Sequence, residues 1–189
     1  MKRFIALFFL ISTFIYAESS VGFVTQFNKS TFEETNVEMV GMLAGLQVSS
    51  FPKPGKTGWM NETSILIPVY IIVDHELSDS RCFNLDNVFG GGTTLSVPVK
   101  YGKESYLSFG GGFHTAFDTY FESCGVAREL NFGVAFMMNV GNSANSWGIS
   151  LKVFADLFGW NKYYFSSGGA ISYDVTNKFG GSMGIIYRL

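Results

Sequence analysis

From Phe179 to Leu189 large apolar side chains alternate with small or polar ones. Successive side chains of a strand point to opposite faces. Phe179, Met183, Ile185, Tyr187 and Leu189 therefore share one face, and Gly180, Ser182, Gly184, Ile186 and Arg188 the other. A greasy row opposed by a row that carries Arg188 fits a barrel wall with lipid outside and a polar interior.

The same two-residue period runs through much of the chain. Leu130, Phe132, Val134, Phe136, Met138 and Val140 oppose Glu129, Asn131, Gly133, Ala135, Met137 and Asn139. Trp147, Ile149, Leu151, Val153 and Ala155 oppose Ser146, Gly148, Ser150, Lys152, Phe154 and Asp156. Segments 88–100 and 107–118 read alike, and 37–49, 64–74, 163–173 and 179–189 are further strands, with a weaker one at 20–27. Turn chemistry separates them at Pro52-Lys53-Pro54-Gly55, Gly102-Lys103, Gly141-Asn142-Ser143, Trp160-Asn161-Lys162 and Thr176-Asn177-Lys178. No helical period is sustained. Nine candidates sit badly with the even strand number of a bacterial barrel. Dropping 20–27 predicts eight strands beginning at Val37, with ten as the alternative. That choice places the long connections, around 75–87 and 118–128, on the periplasmic side, against the usual polarity.

At the amino terminus Lys2 and Arg3 precede an uncharged run from Phe4 to Tyr16, and Ala17 offers a small residue before Glu18. This predicts a signal peptide over 1–17 and export, followed by a single barrel domain over 18–189. Thirteen basic residues less Lys2 and Arg3 leave eleven against fifteen acidic ones, a formal charge of −4. No basic stripe is present, so nucleic acid is not an expected partner. The 22 Gly and 20 Phe are an unusual pairing for a soluble domain but suit a barrel that is aromatic outside and tight inside. The longest apolar stretch, 65–73, is strand-sized and interrupted by Pro68, so a membrane-spanning reading means a closed sheet.

Gly184, two residues, Tyr187, one residue and Leu189 resemble the terminal-strand signal by which outer-membrane barrels are recognised for assembly. Over 37–189 the pattern resembles the small outer-membrane barrels typified by outer-membrane proteins A, X and W. The resemblance implies an all-β, antiparallel up-and-down transmembrane barrel in a bacterial outer membrane. It also implies contact with outer-membrane lipid and with the barrel assembly machinery, and a non-enzymatic role in envelope structure, surface interaction or adhesion. A narrow pore for small solutes or ions is the alternative, and a lipid A-modifying enzyme a third reading. Any extracellular or host ligand is left unidentified, and no cofactor is expected.

Cys82 and Cys124 are the two cysteines, and in an oxidising compartment they are expected to form a disulfide at one end of the barrel. His114 shares its face with Ser108 and Asp118, but the lipid A deacylases that a Ser/His pair brings to mind place the two residues two positions apart. Here Ser108 lies six residues away, roughly 20 Å along a strand. A hydrogen-bonded lumen histidine is the expectation, and no catalytic residue is assigned. His75 with Asp74 and Glu76 reads as a solvated strand end rather than a metal site, and the glycine runs 90–92 and 110–112 as close backbone approach. Glu129, Lys152, Asp156 and Arg188 project to the polar face, where buried charges need partners. Lys152 and Arg188 are expected to pair with Glu129 or Asp156 and fill the lumen.

Overall fold

The computed structural model describes residues 18–32, 37–73, 76–77, 81–99, 103–122, 124–142, 146–173 and 175–189. The expected signal peptide and the His75 and Asp74 positions lie outside them. The strands are β1 (Glu18–Phe32), β2 (Glu38–Phe51), β3 (Lys56–Val73), β4 (Glu76–Leu77), β5 (Arg81–Val99), β6 (Lys103–Glu122), β7 (Gly125–Asn142), β8 (Trp147–Phe165), β9 (Ala170–Tyr173) and β10 (Val175–Arg188). Each is antiparallel to its neighbours in the order β1-β2-β3-β5-β6-β7-β8-β10, and β10 pairs back onto β1, with Ser20 opposite Arg188. Eight strands thus close a barrel and leave no edge. The two-residue β4 folds back on the end of β3, and β9 continues the line of β10 along β8.

Closure fixes the shape of the wall. Following paired residues around the barrel from Ser20 passes through Ser49, Glu62, Val88, His114, Gly133, Asp156 and Lys178. The path returns to β1 at Ser30, ten residues from its start. A stagger of this kind tilts the strands by roughly 35–45° from the barrel axis and leaves an interior just wide enough for side chains to fill.

The count of eight agrees with the sequence, but the membership and the starting point differ. The segment 20–27 is not dispensable: it lies within β1, the strand that joins the two ends of the sheet. The segment 163–173 is not one strand. Its first residues end β8, its last form β9, and a turn with Gly168 and Gly169 at φ 96° and 97° lies between them. The turn signals at 160–162 and 176–178 fall inside β8 and β10. Starting the barrel at Glu18 also reverses its polarity. The ends of β3 and β6 at Val73 and Glu122 now lie opposite the termini, whereas the turn at 52–55 and the ends of β5 and β7 at Val99 and Asn142 lie beside the termini.

Among the described residues the pairing register shifts at three places, once at the end of β1 between Thr31 and Phe32 and twice at bulges further along the wall. Met42 pairs with Tyr70 and Leu43 with Pro68, so Val69 is the extra residue next to a proline that has no N–H to give. Phe132 pairs with Phe158 and Gly133 with Asp156, so Leu157 is extra and both Leu157 and Phe158 point outward.

The outer face is apolar. Among the described residues thirty-three large hydrophobic side chains are exposed, including Phe23, Ile67, Phe113, Val153, Met183 and Ile185. A water-soluble protein does not present such a surface. Aromatic contacts gather towards its two ends: Trp147 packs edge-on against Tyr187 near the termini, and Phe132 meets Phe158 and Trp160 towards the other end.

Inside, one apolar cluster (Phe51, Met60, Val88, Ala135, Met137, Phe154) and a second that includes Met39, Leu43, Ile71, Cys82 and Tyr120 share the lumen with charged residues. Glycines make the first one fit. A Cβ at Gly92 or Gly110 would press on the Met60 sulfur, and one at Gly112 would run into the Phe89 carbonyl and the Gly90 Cα.

Candidate functional site

Alternation turns Glu62 of β3, Asp86 of β5, His114 of β6 and both Lys152 and Asp156 of β8 into the lumen. Glu62, Asp86, His114 and Lys152 are buried, and the Asp156 side chain is 3 % exposed. Lys152 Nζ donates to Asp86 Oδ1 at 2.6 Å and lies 3.0 Å from Glu62 Oε1. His114 bridges two carboxylates, with Nε2 2.8 Å from Asp86 Oδ2 and Nδ1 2.5 Å from Asp156 Oδ1. Carboxylates only accept, so the ring satisfies both at once as imidazolium. Phe154 stacks on it at 4.3 Å between centroids. Gln26 donates to Asp86 at 3.2 Å, and Gln47 to Glu62 at 2.8 Å and to Ser150 at 2.9 Å.

A second cluster lies towards the end away from the termini. Lys178 of β10 contacts Asp118 of β6 and, at 3.3 Å, Glu129 of β7. Asn84 Nδ2 donates to Asp118 at 2.6 Å and Tyr173 Oη to Glu129 at 3.0 Å. Asp156 pairs in register with Lys178, so the two clusters meet across β8 and β10. Five carboxylates thus face two lysines and a histidine. Each cluster is cross-linked between strands that are not neighbours, which holds the wall together through its interior as well as through its ladders.

The residues singled out in the sequence are only partly brought together, and the expected pairings change. Lys152 does not pair with Glu129 or Asp156. Its partners are Glu62 and Asp86, on strands across the lumen. Glu129 instead answers Lys178, and Asp156 answers His114. Arg188 is at the rim near the termini, bridged to Glu18, its guanidinium 4.6 Å from the Tyr106 ring centroid. Asp118 is placed on the inner face by the sequence but given no ionic partner there, and Glu62, Asp86 and Lys178 are not singled out by the sequence. These three stand on inward rows that continue the alternation, but strands expected from Ser64, Val88 and Phe179 leave Glu62, Asp86 and Lys178 in connections.

Ser108, His114 and Asp118 do share the inner face, yet each has separate partners. Ser108 bonds Thr94 at 2.8 Å, and both ring nitrogens of His114 face carboxylates, so neither is turned to a hydroxyl nucleophile. Among the described residues no three His, Cys, Asp or Glu side chains are placed to hold a metal ion.

The expected disulfide is corrected: no bond joins Cys82 to Cys124. Cys82 faces the lumen in an apolar cluster, whereas Cys124 is exposed in the turn between β6 and β7. Two residues of the terminal signal fall on the closing strand and the third just beyond it. Gly184 faces inward across from Val24, Tyr187 faces outward beside Trp147, and Leu189 is exposed with its N–H on the Ser19 carbonyl.

No protein family and no curated protein matches the sequence. Among solved structures the chain is similar to the crystal structure of Neisserial surface protein A, with 8 % identity and a TM-score of 0.45, over 90 % of this chain and 97 % of that one.

Proposed function

We propose that this chain is an integral β-barrel of a bacterial outer membrane whose lumen is filled, and that its role lies in envelope structure and surface contact rather than solute passage. The observation that carries the reading is the inverted polarity of the wall: charged residues buried inside, large apolar side chains exposed outside. In hydrocarbon a closed sheet satisfies every backbone group, and only an apolar exterior is tolerated. Removal of residues 1–17 on export accords with the same destination, as does recognition of the closing strand by the assembly machinery through Gly184, Tyr187 and Leu189.

A water-filled pore is disfavoured by the burial of Glu62, Asp86, Lys152 and His114, which leaves no solvated mid-lumen path for an ion to follow. The test is planar-bilayer recording on refolded protein, with insertion established separately by its protection from protease in vesicles. Inserted protein without discrete conductance steps is expected. Reproducible channel steps that scale with the amount of inserted protein would overturn the filled-lumen reading.

A further inference from the structure

On the outside of the barrel Arg128 of β7 and Lys162 of β8 are direct cross-strand partners, both exposed. They stand one outward step beyond Leu130 and Trp160, which are likewise paired, and Trp160 is 73 % exposed in the apolar belt. The same row continues to Thr119 on one side and Ser172 on the other. Like charges directly opposed across two strands destabilise a sheet. Among the described residues no carboxylate forms an ion pair with either. Arg128 instead lies over the Tyr164 ring at 5.4 Å, which directs its guanidinium along the outer surface. Lys29, another basic side chain towards the same end of the wall, differs, since Glu38 answers it at 2.7 Å.

Two adjacent cations that no carboxylate answers among the described residues ask for an anion, and their position selects its kind. Directly below them the wall is Trp160, Phe158 and Leu157, which in a bilayer face acyl chains. An anion held here therefore sits at headgroup height above hydrocarbon. We propose that Arg128 and Lys162 form a binding site for a phosphate group of a membrane lipid. The guanidinium offers a bidentate fork, the ammonium a point charge, and flanking Ser172 a hydroxyl donor, while the lipid's chains lie along the aromatic wall below. The inference rests on the membrane reading above.

The test uses refolded full-length mature protein in detergent and in phosphatidylcholine nanodiscs, with phosphatidic acid as the probe and native mass spectrometry as the readout. Protease protection in the nanodiscs is scored first. Wild type is expected to retain phosphatidic acid over phosphatidylcholine on the order of tenfold, as two interfacial cations would give. R128Q with K162Q should abolish the preference, R128K should keep most of it, and K29Q should leave it unchanged. An inserted protein with no preference, or one whose preference survives the double substitution, would overturn the site while leaving the barrel intact. Displacement of the lipid by millimolar inorganic phosphate would overturn the assignment to a lipid. Failure to insert would overturn the membrane reading and this inference with it.

Discussion

Lys152 is locked between Glu62 and Asp86 with no solvent access, so its ammonium is the counter-charge for two buried carboxylates. Lys152→Ala is expected to destabilise the barrel by about 3–5 kcal/mol by stranding them. Lys29→Ala, at a partly exposed pair with Glu38, should cost less than about 1 kcal/mol. Urea unfolding in lipid vesicles separates the two; equal costs would mean that the lumen around Lys152 is wet. The glycines make a second contrast at this scale. Gly112→Ala forces a methyl into the β5 backbone and should cost roughly 1–3 kcal/mol. Gly91→Ala points into open space on the outer face and should be neutral, or stabilising by up to about 1 kcal/mol. The same unfolding measurement checks both.

At the scale of the strand, β1 decides whether the sheet closes, because it is hydrogen-bonded to β10 on one side and β2 on the other. Protein lacking residues 18–32 should fail to acquire the compact, heat-sensitive gel mobility of a folded barrel. Normal mobility would contradict the closure. Depth gives a second strand-scale prediction. Val153→Arg, in the middle of the apolar row of β8, should cost about 2–4 kcal/mol in a bilayer, and Trp147→Arg, on the same outward row at the end of that strand, about 0–1 kcal/mol. Vesicle unfolding of both variants checks the gradient. Alternation made β6, β7 and the first half of β8 legible in the sequence, since their two faces differ sharply in character. It failed at β1, where outward Thr25 and Lys29 blur an otherwise clear inward row of Ser20, Gly22, Val24, Gln26 and Asn28. It failed again past Leu157, where the bulge exchanges the faces. The inward direction of Lys152 was readable, but its partners were not. Parity says which side chains enter the lumen, whereas the stagger of the closed sheet decides which strands face each other across it.

For the molecule as a whole, the account stands on a wall turned inside out: a charged, filled interior and a lipid-facing exterior. The three tryptophans report on that wall directly, because Trp59, Trp147 and Trp160 are all on the outside at 70 %, 55 % and 73 % exposure. Trp147 lies near the termini and Trp160 towards the opposite end of β8, so the pair brackets the apolar belt. The measurement is tryptophan fluorescence of the folded protein in vesicles whose acyl chains carry bromine at defined depths. The account predicts strong quenching by the brominated lipids and little by aqueous iodide, with single-tryptophan variants placing Trp147 and Trp160 towards the two interfaces. Fluorescence indifferent to brominated chains and readily quenched from the aqueous phase would contradict it.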